Sequence, residues 1–181
     1  MRFTHILLLL CVTQLFPPTL YAQALSEPVL EYELAPGEMA HLGKASVSVF
    51  ANGRVRMIRP PYWRNSGTLV SHISREQLAD LLTAVRSMNF GALTAEALAE
   101  AHAEERGTTQ FFEVHDADRV TLVMRQLGSE ERITVMAPAA QRERLPNQET
   151  LSSFADIDAR FRALLSATAD SDRLYDEELT Q

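Results

Sequence analysis

The sequence predicts an α+β domain: an antiparallel sheet of about five to six strands with two or three helices packed on one face. Three observations carry this. Residues 46–57, SVSVFANGRVRM, alternate apolar and polar side chains around Asn52-Gly53, the pattern of a half-buried hairpin. Leu78, Leu81, Leu82, Val85 and Met88 recur at helical spacing behind Ser74, with Gln77 placed to complete a capping box. Later, Phe112, Val114, Val120, Leu122, Met124, Ile133 and Val135 alternate with polar residues, as strands lining one face do.

In chain order, the first element reads as a leader. Arg2, an apolar run from Ile6 to Phe16, Pro17-Pro18 and then Tyr21-Ala22-Gln23-Ala24 make a secretory signal peptide over 1–24. Cleavage is expected after Ala24, with Ala22 as the second choice. Ile6–Phe16 falls well short of the roughly 20 apolar residues a helix needs to cross a bilayer, so no integral span is expected after cleavage. A lipoprotein site at Cys11 would need a small residue before it, and Leu10 is not small. Removing 1–24 takes away Arg2, no acid and the only cysteine, so the mature chain is one unit more negative than the formal −7 of the whole. It can form no disulfide and offers no thiolate, although a periplasmic or secreted address would permit disulfides. Its stability must come from packing.

Residues 25–44 contain Pro28, Pro36 and Gly37 and read as an extended lead-in with room for one edge strand. The hairpin has two candidate registers. A two-residue Asn-Gly loop would mix polarity on both faces. A three-residue loop, Ala51-Asn52-Gly53 with Gly53 left-handed, pairs Val49 with Val55 and Val47 with Met57, and places Ser48, Arg54 and Arg56 on the other side. The second is preferred, although it leaves Phe50 and Ile58 on the polar side. Pro60-Pro61 ends the second strand because neither can donate to a ladder, and Gly67–Ile73 makes a short third one. The Ser74 helix stops at Asn89-Phe90-Gly91. Thr94 opens a shorter, Ala/Glu-rich surface helix that ends near Gly107. Strands are expected over Thr109–His115, Arg119–Leu127 and Arg132–Ala137, and a loop over 138–148. Phe154, Ile157, Phe161, Leu164 and Leu165 mark a final amphipathic helix. Residues 45–168 thus form one α+β domain, and 169–181 an acidic, flexible tail.

The composition argues against several chemistries. An excess of acids over bases, 24 against 17, is the wrong balance for general nucleic-acid binding. His102 with Glu105, and His115 near Asp116 and Asp118, lack the fixed spacing of a transition-metal site. There is no Gly-x-Ser-x-Gly, no Ser-x-x-Lys and no glycine-rich phosphate loop. No catalytic residue, metal ligand or cofactor is assigned, and the chain is read as non-enzymatic.

The densest departure from background is Arg54-Val55-Arg56-Met57-Ile58-Arg59-Pro60-Pro61-Tyr62-Trp63-Arg64, which holds four arginines and the only tryptophan of an acidic chain. Exposed arginines on a sheet are ordinary, and a tryptophan can plug a core edge. Tyr, Trp and Arg are also the residue types that most often anchor interfaces. Arg54, Arg56, Arg59, Tyr62, Trp63 and Arg64 are therefore the candidate binding surface, facing an envelope protein or an anionic envelope component. Two alternatives stand beside this. The first is an inhibitor of a secreted protease or lysozyme presenting the loop Pro60-Pro61-Tyr62-Trp63. The second is a hydrolase whose active site is dispersed along the chain.

The order of elements resembles a bacterial family of exported domains of unknown function. The resemblance rests on Val47, Val49, Gly53 and Val55 around the turn, on Ser74, Gln77, Leu78, Leu81, Leu82, Asn89 and Phe90 in the first helix, and on Ile157-Asp158 in the last. It implies an exported α+β domain and no active site.

Overall fold

The hairpin adopts the register that sorts its side chains by polarity. In the computed structural model, which describes residues 27–106, 116–126 and 129–167, strands β2 (Ala45–Phe50) and β3 (Arg54–Arg59) pair Val49 with Val55, Val47 with Met57 and Ser48 with Arg56. The loop is Ala51-Asn52-Gly53, closed by the Gly53 amide donating to the Phe50 carbonyl at 2.9 Å. Gly53 has φ 83°, and a Cβ there would lie 2.6 Å from the Ile73 carbonyl oxygen, so conformation and space both require glycine.

The lead-in, expected to hold at most an edge strand, instead supplies a central one. β1 (Pro28–Ala35) lies between β2 and β5 in a six-stranded antiparallel sheet ordered β4-β3-β2-β1-β5-β6. Leu30, Tyr32 and Leu34 enter the core, while Glu31 and Glu33 alternate onto the opposite face. Pro28 opens the strand, where a missing donor costs the ladder little. β4 (Gly67–His72) pairs with β3 along its whole length. β5 (Arg119–Gln126) and β6 (Ser129–Met136) form the second hairpin. The expected strand Thr109–His115, the leader 1–24 and the tail 169–181 lie outside the described residues.

Helix α1 (Arg75–Arg86) starts with the full capping box: the Ser74 hydroxyl accepts from the Gln77 amide, and the Gln77 side chain accepts from the Ser74 amide. α2 (Ala95–Arg106) is less superficial than expected, since Leu98 and His102 are both buried. Residues 138–148 are only partly loop. Pro138–Arg144 is a short helix, α3, with Pro138 in the first turn, where the missing amide has no intrahelical partner to lose. α4 (Glu149–Ser166) buries Leu151, Phe154, Ile157, Phe161 and Leu165 along one stripe. These residues, the apolar faces of α1 and α2, and the inward residues of all six strands make one core. Each fully buried side chain of this size contributes about 1.5–3 kcal/mol. The helices thus occupy one face of the sheet, and its outer face is left to Glu31, Ser48, Arg54, Arg56 and their neighbours.

Candidate functional site

On the outer face, position parity and pairing decide which charges meet. Toward the β6 side most charges satisfy one another, although Arg119 on β5 makes no ion pair among the described residues. Arg125 binds Glu31 at 2.8 Å and Glu130 at 3.0 Å, Arg132 binds Glu130 at 3.2 Å, and Lys44 binds Glu33 at 2.5 Å. Toward the β4 side they do not. Arg54 and Arg56 make no ion pair among the described residues. The Arg54 guanidinium lies over the Phe50 ring, 4.0 Å from its centroid, and its amide donates to Asn52 Oδ1 at 3.0 Å. This accounts for Phe50, which sits on the polar face yet is only 3% exposed: the arginine covers the ring. Arg56 stands between Ser48 and Val70, and next to it Ile58 is 39% exposed between Ser46 and Thr68. The result is a cationic strip with apolar neighbours on an otherwise acidic protein.

The other four candidate residues do not join this strip. Arg59 has the parity of Val55 and Met57, so it points to the helix side, and it is 5% exposed. Its Nη2 donates to the Ala167 carbonyl at 2.6 Å, placing a cation at the C-terminal end of α4, where the helix dipole favours one. Burial lowers its pKa from the usual arginine value. Tyr62 donates its hydroxyl to the Gly43 carbonyl at 3.2 Å, and Trp63 packs against the core. With Arg59, Arg64, Asn65, Leu165 and Ser166, Trp63 lines a recess of about 340 Å³. The cluster is therefore divided by the sheet: Arg54 and Arg56 on one face, Arg59 and Trp63 beside the helices. In the Pro60–Trp63 loop Tyr62 and Trp63 are tied down while Pro61 is exposed.

A second polar assembly lies at the other end of the domain, and the sequence reading did not assign it. Asp158, 4% exposed, accepts from the Tyr32 hydroxyl at 2.6 Å and from Arg162 Nε at 2.9 and 3.0 Å. Arg162 Nη1 donates to Asp118 at 2.9 Å. The Tyr32 ring stacks on Phe161, with centroids 4.7 Å apart. Together these tie β1, the turn before β5 and α4. Burial, and then the hydrogen bond to Asp158, push the Tyr32 hydroxyl pKa up. Burial alone would lower that of Arg162, but Asp158, Tyr32 and Asp118 more than offset it and raise it. Both shifts keep Tyr32 neutral and Arg162 charged near neutrality, so the pair acts as a lock between β1 and α4. One signal for it was visible in the sequence. Asp158 falls on the apolar stripe between Phe154 and Phe161, with Arg162 four residues on, and a charge on such a stripe needs a buried partner.

The lock faces an open cleft of about 710 Å³ walled by alanines, among them Ala137, Ala139, Ala155 and Ala159, and by as many charged residues, among them Asp116, Arg142 and Glu143. Asp116 and Ala137 at its edge have φ of 61° and 46°, in the left-handed region that non-glycine residues seldom enter. Among the described residues no group of three or more His, Cys, Asp or Glu side chains could hold a metal ion. His115 lies outside them. Also among the described residues, no helix is long and apolar enough to cross a membrane. No family model matches the chain and no curated protein matches it, so the geometry alone carries the functional reading.

Proposed function

We propose that this chain is an exported, non-catalytic domain that acts by contact, binding an acidic partner in the periplasm or the external medium through Arg54 and Arg56. One observation carries the reading. Arg125, Arg132 and Lys44 on the outer face are each paired with a glutamate, while Arg54 and Arg56, neighbours on the outer side of β3, make no ion pair among the described residues and stand beside exposed Ile58. Retaining unpaired cations on a protein of net charge −7 suits electrostatic recognition of an anion. The leader-like N-terminal sequence and the resemblance to exported domains support the address.

Binding of fluorescent poly-L-glutamate tests the contact. Arg54→Gln/Arg56→Gln keeps much of the side-chain stems that cover Phe50 and removes both charges. If each surface charge pair contributes up to about 1 kcal/mol, affinity should drop on the order of tenfold, and salt should weaken the wild type more than the variant. Equal binding by the two proteins would remove the arginine face from the account. The address is tested by mass spectrometry of the periplasmic fraction: a chain starting at Leu25 is expected, and an uncleaved chain retained in the cytoplasm would refute export.

A further inference from the structure

We propose that β4 accepts an extended acidic segment of a partner protein as a seventh strand. This rests on the arginine face being a contact surface and specifies how the partner is held.

The two edges of the sheet differ in how they are defended. β6, SEERITVM, carries Glu130, Glu131 and Arg132 and runs into Ala137-Pro138, features that discourage pairing with another chain. β4, GTLVSH, has no proline, lysine, arginine or acid. Its register with β3 runs unbroken from Arg59–Gly67 to Arg54–His72, with no bulge to twist the edge away.

The free backbone groups of β4 can be assigned. The Ile73 amide donates to the Gly53 carbonyl at 2.9 Å. In an antiparallel ladder, bonding alternates residue by residue, so Ser71, Leu69 and Gly67 also bond toward β3. Thr68, Val70 and His72 then direct their N–H and C=O groups away from the sheet. Thr68 and His72 are exposed and Val70 is half-buried. Among the described residues no strand pairs with this edge.

The same alternation sets the chemistry of the incoming segment. The side chains of Thr68, Val70 and His72 share the outer face with Ile58, Arg56 and Arg54, their partners on β3. An added strand lies two spacings from β3, roughly 10 Å, which a glutamate and an arginine reaching over Val70 can span. Its outward positions therefore suit acids. Its inward positions continue the layer of Leu69 and suit apolar residues. The segment alternates acid and apolar. A second copy of β4 has no acid to offer and would leave both arginines unanswered.

The test uses the full chain as purified and a ten-residue peptide alternating glutamate and valine. Binding should slow hydrogen exchange at the Thr68, Val70 and His72 amides. The same peptide N-methylated at alternate residues, unable to complete the ladder, should bind at least tenfold more weakly to the unaltered protein. Val70→Pro, which removes an edge donor that the sheet does not use, should produce a similar loss while leaving poly-L-glutamate binding in place. Equal affinity for the methylated and plain peptides overturns strand addition without touching the arginine reading. Loss of the difference between wild type and Arg54→Gln/Arg56→Gln overturns the arginine reading itself. Dimerisation of the protein alone, abolished by Val70→Pro, would make a second copy the occupant and refute the partner proposed.

Discussion

Arg162→Ala is expected to destabilise the domain by about 3–5 kcal/mol, because it strands a buried carboxylate. Asp158 is 4% exposed and would keep only the Tyr32 hydroxyl as a partner, while Asp118 can turn to water. For a domain of this size the melting temperature should fall by roughly 10 °C. The cost arises from breaking the set, not from the net worth of the ion pair, so replacing the set as a whole should behave differently. Tyr32→Phe/Asp158→Leu/Arg162→Leu removes every charge that would need a partner in the core, and most of the stability should return. Calorimetry of the two variants checks this. A loss below 1 kcal/mol for Arg162→Ala would mean that Asp158 is more hydrated than its burial indicates.

Phe161→Ala should cost a similar amount for an apolar reason. The ring is fully buried, belongs to the stripe that docks α4, and stacks on Tyr32 with 15° between the planes. Truncation loses transfer free energy and leaves a cavity, about 3–5 kcal/mol together, and the lost stacking accounts for part of it. Phe161→Leu keeps most of the volume and should cost about 1.5 kcal/mol or less. Urea unfolding resolves the two, with a lower midpoint and little change in slope. Equal, small losses would mean that α4 is not seated on Tyr32.

These two residues also show where the sequence was legible. α4 was readable because its apolar period lies within one helix, and the hairpin register because only one pairing separates valines from arginines. Asp158 on the apolar stripe marks one member of the lock, but its long-range partners are not readable, since Tyr32 and Asp158 stand 126 positions apart and Arg162 and Asp118 stand 44 apart. No local pattern connects such partners. The central place of β1 is hidden for the same reason: its alternation is short and bounded by prolines, and its position depends on β5, some 90 residues later. Arg59 is different. Its parity with Met57 was available and assigns it to the helix side, but its position in a run of cations suggested a common surface. Alternation along the strand outweighs proximity along the chain.

The contact account is tested most directly by following the glutamate–valine peptide titration residue by residue with amide chemical shifts. Perturbations should concentrate on Arg54, Arg56, Ile58, Thr68, Val70 and His72, and should need on the order of tenfold more peptide in Arg54→Gln/Arg56→Gln. Shifts centred on Asp116, Ala137 and Arg162 at the opposite cleft, with β3 and β4 unmoved, would contradict it.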